Sequence, residues 1–160
     1  MKILITPVFL FVGLYTIAQP SIEKDKKAVM GIVNQFFKAL EKKDTVLYNS
    51  VILNSGQIWT VRKLKGTLKT SMRSFNEDKY SLMGMNAVIE EKPLSFEIKI
   101  HHDIAIAWVP YTLSRSGKFS HCGVDVFTLI HAVNGWRIVN ATYSVEPDGC
   151  DSLQKRSNKQ

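Results

Sequence analysis

The 160-residue chain is 45% hydrophobic and 22% charged, and it holds nine Gly, five Pro and two Cys. That balance excludes a disordered, collagen-like or low-complexity chain, and two Cys are too few for a Cys-rich zinc site or a disulfide-dense scaffold. Twenty-one Lys and Arg against fourteen Asp and Glu give a formal charge of +7, but the cations are dispersed and no nucleic-acid motif accompanies them; the excess reads as a solvated surface, with no nucleic acid as partner.

Residues 1–18 read as a signal peptide. Lys2 is the only charge before Glu23, an apolar run follows from Ile3 to Leu14, and Thr16-Ile17-Ala18 supplies small residues at a cleavage site after Ala18. The run 3–18 falls short of the ~20 residues of a spanning helix. The expectation is an exported protein, periplasmic or secreted, with no membrane association after signal cleavage. Residues 19–150 then form one domain and residues 151–160 a polar C-terminal tail.

The mature chain opens on a helix. Val29, Ile32, Val33, Phe36, Phe37 and Leu40 recur at helical spacing and make one apolar stripe. Asp44 is suited to cap a second, shorter helix with Leu47, Tyr48, Val51 and Ile52 turned inward. Asn54-Ser55-Gly56 ends it, Ile58 to Val61 reads as a short strand, and Thr67 reads as the cap of a third helix carrying Leu68, Met72 and Phe75. The period then changes. Ala87-Val88-Ile89 is a modest strand, followed by four β-branched and aromatic runs near 94–100, 104–115, 119–131 and 136–145. His101-His102-Asp103, Ser116-Gly117 and Asn134-Gly135 separate them as turns. Helices first and an antiparallel meander after give an α+β domain.

Two-residue turns at Ser116-Gly117 and Asn134-Gly135 set a register in which Asp125 opposes Trp108, Phe127 opposes Thr142 and Leu129 opposes Asn140. Alternation then assigns Trp108, Asp125, Phe127, Asn140 and Thr142 to one mixed aromatic and polar face. Val124, Val126, Val139 and Tyr143 fall on the other, nearly apolar face, and a single bulge would flip part of this assignment.

Val33-Asn34-Gln35-Phe36-Phe37-Lys38-Ala39-Leu40 with Lys43-Asp44, and Cys122-Gly123-Val124-Asp125-Val126-Phe127-Thr128-Leu129 followed by Asn134-Gly135-Trp136-Arg137-Ile138-Val139, resemble the first helix and last hairpin of the nuclear transport factor 2-like superfamily, over residues 24–147. SnoaL-like proteins and ketosteroid isomerases belong to it, and the likeness is nearest to small exported bacterial members of unassigned activity. It implies a cone-shaped α+β barrel, with N-terminal helices packed on a curved antiparallel sheet around a pocket. Isomerases, cyclases, dehydratases and plain binders share that fold, so it does not fix an activity.

The resemblance to ketosteroid isomerases implies three groups: an Asp base on the strand after the second helix, a Tyr on the first helix, and a protonated Asp on a late strand. Asp125 occupies the last position. Phe36 stands where Tyr is expected, and Ile58-Trp59-Thr60-Val61-Arg62 offers no carboxylate, so the base is missing. Asp125 thus stays the one candidate catalytic residue, with a structural or ligand-contacting role open beside it. The other chemistry is sparse. No His-Glu-x-x-His, phosphate loop or nucleophile elbow is present, His101-His102-Asp103 reads as an exposed turn, and neither metal nor cofactor is expected. Cys122 and Cys150 either form a disulfide across the turn Pro147-Asp148-Gly149 or remain thiols.

The expected function is binding of a small, partly apolar molecule in a conical pocket lined by Phe36, Trp59, Trp108, Asp125, Phe127, Asn140 and Thr142. The alternatives are a SnoaL-like isomerase, cyclase or dehydratase acting through Asp125, and an interaction module pairing as a homodimer through its apolar sheet face.

Overall fold

A computed structural model describes residues 22–148 together with Cys150, Asp151 and Leu153. The expected signal peptide, and most of the expected tail, lie outside the described residues. Helix α1 spans Ile22–Lys42, with Glu23 and Asp25 in its first turn and Lys42 in its last, each where the helix dipole favours its charge. Its stripe buries Val29, Val33, Phe36, Phe37 and Ala39. Asp44 then caps α2 (Thr45–Val51), its carboxylate accepting from the Val46 and Leu47 amides at 3.0 and 2.9 Å.

Strand β1 (Ile52–Leu64) is much longer than the expected Ile58 to Val61, because it continues through Asn54-Ser55-Gly56, where its pairing is irregular. The segment expected as a third helix from Thr67 is instead strand β2 (Thr67–Ser74). Lys65 and Gly66 both take left-handed backbone (φ 48° and 81°), and this two-residue turn closes a hairpin that pairs Leu64 with Thr67. Leu68 and Met72 are consequently exposed. Helix α3 starts only at Phe75 (Phe75–Met83), where Ser74 and Glu77 cap each other reciprocally.

The remaining strands are β3 (Ile89–Pro93), β4 (Glu97–His101), β5 (Ile104–Arg115), β6 (Lys118–Ala132) and β7 (Gly135–Val145). They form one sheet in the order β2-β1-β7-β6-β5-β3, with β4 also paired to β5. The sheet is mixed rather than wholly antiparallel, since β1 runs parallel to β7. Along the outer edge of β5, β4 pairs with Ile104–Trp108 and β3 with Tyr111–Arg115. The edge breaks at Pro110, which has no N–H to give.

Both hairpin registers differ from the sequence expectation, for reasons visible in the turns and bulges. Ser116 and Gly117 do form a turn (φ 49° and 77°), but a bulge follows at Ser120, so Asp125 faces Val109 and Trp108 faces Val126. The last hairpin closes on Ala132 and Gly135 around Val133-Asn134, with Gly135 at φ 94° and Asn134 not left-handed. A second irregularity between Thr128 and Leu129 then pairs Phe127 with Ala141 and Leu129 with Ile138. These bulges bend the strands, and the sheet curls around α1. Val29, Val33, Phe36 and Phe37 sit on Ala105, Ala107, Val109, Phe127, Leu129 and Ile138 as one core. The two alanines make room for the helix, and the ring of Phe36 meets that of Phe127 edge to face at 5.6 Å. Full burial of each such Val or Phe side chain contributes about 1.5–3 kcal/mol.

Candidate functional site

One end of the cone is not filled. Between α1, α3 and the concave sheet lies a cavity of about 390 Å3. Phe36, Ile58, Phe127 and Ala141 form its base, and Leu82, Met85, Ile89 and Leu113 its apolar walls. Asp125, Glu91, Tyr111 and Tyr143 also line it. Gly123 makes this arrangement possible. A Cβ there would stand 2.1 Å from the Ser144 carbonyl oxygen and 2.9 Å from the Tyr111 ring, so only glycine lets that ring cross β6. The Tyr111 hydroxyl then donates to the Ser144 carbonyl at 2.7 Å.

The central feature is a pair of carboxyl groups. Asp125 is 4% exposed, and its Oδ2 is buried without a hydrogen-bond partner among the described groups. The carboxyl of Glu91 stands against it within hydrogen-bonding reach, although the Glu91 residue as a whole, on an edge strand, is only part-buried. Two carboxylates would repel there, so the contact holds only with a proton between them. Burial first, then the Glu91 charge and hydrogen bond, push Asp125 well above the usual carboxylate range. Burial raises Glu91 to about 7. Asp125 therefore holds its proton more firmly than an ordinary carboxyl and donates toward Glu91, and the pair is able both to give and to take a proton.

A second polar cluster holds the wall beside this pair. Arg73 donates from Nε to Asp78 Oδ1 at 2.7 Å, and from its two terminal nitrogens to Thr60 Oγ1 at 3.1 Å and the Tyr143 hydroxyl at 3.3 Å. Tyr48 donates to Asp78 Oδ2 at 2.7 Å. Both Asp78 oxygens are thereby used, and the buried charge of Arg73 is matched. Toward the mouth stand Arg62, Lys63, Arg115 and His121. Burial, with Arg115 and Arg62 nearby, lowers the His121 pKa, so its ring is neutral at pH 7. Cys122 and Cys150 are joined by a disulfide across 28 residues, which ties the segment after β7 to β6 beside the mouth.

Of the residues expected to line the pocket, Phe36, Asp125 and Phe127 do so. Trp59, Trp108, Asn140 and Thr142 do not, and this corrects the sequence reading. The register places Trp59, Thr142, Val126 and Trp108 in one row across the convex face. Trp59 and Trp108 are 38% and 48% exposed there. Thr142 donates to Asn140 on that same face at 3.2 Å. Tyr143, expected on the pairing face with Val124 and Val126, turns into the cavity instead. Glu91, the most consequential lining residue, was missed because the expected strand stopped at Ile89. Alternation from the apolar Ile89 would have carried Glu91 to the same face.

The sequence matches no protein-family model and no curated protein. Solved structures are similar in fold at low identity. An NTF2-like protein of unknown function from Shewanella baltica is 16% identical, covering 81% of this chain and 100% of its own, with a TM-score of 0.63. An NTF2-like protein with a cystatin-like fold from Novosphingobium aromaticivorans is 12% identical over 82% of this chain and 89% of its own, also at 0.63. A protein of the NTF2-like family from Streptomyces avermitilis, which carries a provisional dehydratase name, is 14% identical over 78% of this chain and 98% of its own, at 0.61. The helices seated on a curved, unclosed sheet, and these neighbours, agree: the chain has the α+β cone fold of NTF2-like, cystatin-like proteins.

Proposed function

We propose that the protein is an exported domain that binds a small, partly apolar molecule inside the cone. One observation carries this reading: a buried carboxyl oxygen of Asp125, without a partner among the described residues, at the wall of a largely apolar cavity. An unpartnered polar atom in such a place costs about 1–3 kcal/mol, and a ligand group offsets that cost. The apolar walls supply area, and the few polar groups supply orientation, as in small-molecule sites generally.

A second reading, acid–base chemistry of the SnoaL-like kind, is favoured by Glu91. It supplies beside Asp125 the carboxylate that β1 lacks, and an acid and base sharing one proton suit proton transfer or dehydration. The test is native mass spectrometry of the exported protein, as wild type and as Asp125→Asn. A co-purified adduct in the wild type, weakened in the variant, supports binding. A bare wild-type mass, or an adduct indifferent to the substitution, refutes it. With the adduct identified, complete loss of its turnover in Asp125→Asn assigns chemistry to the pair, and a change in affinity alone assigns binding.

A further inference from the structure

We infer that the cavity takes a small amphipathic anion, its charged group at the mouth between Arg62 and Arg115 and its apolar body directed inward; this rests on the binding reading above. The charges on the lining are arranged unevenly. Three acids line the cavity: Asp78, Glu91 and Asp125. Asp78 is already matched by Arg73, and the other two face each other. Arg62, Lys63 and Arg115 line the same cavity, and none of them makes an ion pair among the described residues. His121 lies within the field of both arginines, and its lowered pKa favours the neutral ring, so it adds no further cation.

Two guanidinium groups that line one cavity and both act on the His121 ring suit a carboxylate, sulfonate or phosphate group. Leu82, Met85, Ile89 and Leu113 continue from there as an apolar wall down to Phe36 and Phe127. His121 and Asp125 are four residues apart on β6, about 13 Å along an extended strand, so the two polar ends are separated by the length of a small molecule. The cavity of about 390 Å3 has room for on the order of a dozen water-sized groups. At its inner end the acid pair already carries negative charge once ionised, so an anion is repelled there and drawn to the mouth. A hydroxyl group at the ligand's inner end donates to the unpartnered Asp125 Oδ2.

The test uses two fluorescent probes with the same ring skeleton: 8-anilinonaphthalene-1-sulfonate and neutral N-phenyl-1-naphthylamine. With the mature wild-type chain the sulfonate is expected to bind at least about tenfold more tightly, the scale of one charge-assisted contact, and to weaken with added salt. Arg62→Gln/Arg115→Gln should remove that preference while leaving the neutral probe unchanged. Equal affinities in the wild type, or a preference that survives the double substitution, would overturn the inference and leave the binding reading in place. Val145→Trp narrows the cavity itself, and its fold is checked by circular dichroism. Probe signals unaffected by Val145→Trp would place binding elsewhere and overturn both readings.

Discussion

Replacing Glu91 by Gln removes one ionisable group from the buried pair while keeping its shape and a carbonyl acceptor for the Asp125 proton. The wild-type carboxyl ionises near 4.5 when unfolded and at about 7 when folded. Between those values the folded state holds a proton that the unfolded state has released. Wild-type stability therefore falls as pH rises through that window, and the loss is complete above about 7. The difference corresponds to roughly 3 kcal/mol as an upper figure. At pH 4 both states are protonated, and Glu91→Gln should match the wild type within about 0.5 kcal/mol. At pH 8 the variant should be the more stable, by up to about 3 kcal/mol, or roughly 6–12 °C in Tm for a domain of this size. Urea unfolding from pH 4 to 8, followed through the buried Trp136, measures this directly. A difference that stays constant across the range, or a variant weaker at pH 8, would refute the shared-proton account.

Tyr48→Phe leaves Asp78 Oδ2 without its donor and should cost about 1–3 kcal/mol, measured by the same unfolding experiment; an unchanged midpoint would show that water replaces the hydroxyl. Cys122→Ser with Cys150→Ser opens the 28-residue span and should cost about 3–4 kcal/mol under oxidising conditions, whereas reductant should lower the wild type to the same level. On the convex face, Trp59, Trp108 and Ile106 are exposed around Val126, with Thr142 between Trp59 and Val126; exposed large apolar groups gathered in this way are of the kind that pairs subunits. Light scattering should give a dimer mass for the wild type and a monomer mass for Val126→Asp; a monomeric wild type would remove the homodimer.

Helix α1 and the late strands were legible in the sequence because their apolar patterns run uninterrupted over many residues. Six apolar residues at helical spacing placed α1, and the Asp44 cap followed from its residue type. The later strands were found within a few residues of their ends, since their turns are marked by Gly, Asn and Asp. The hairpin at Lys65-Gly66 was misread because Thr67 is an equally good helix cap, and only tertiary pairing with β1 decides between them. The faces of the late strands were misassigned for a different reason. The extra residue at Ser120 and the irregularity near Thr128 have no residue-type signature, and each shifts every later side chain by one place. Asp125 was correctly brought to the interior, but with the wrong neighbours. The cluster of Tyr48, Arg73, Asp78 and Tyr143 joins residues as many as 70 positions apart, a separation that no local pattern encodes. Glu91 was within reach of the alternation rule.

Among the described residues the curved sheet does not close on itself, and β2, a mostly exposed strand, has no strand partner along its outer side. Such a margin is a template for fibrillar stacking. Here Lys69 lies on it, Lys65 sits in its hairpin turn and Lys63 lies just before that turn. Like charges along that border repel a second copy approaching in register.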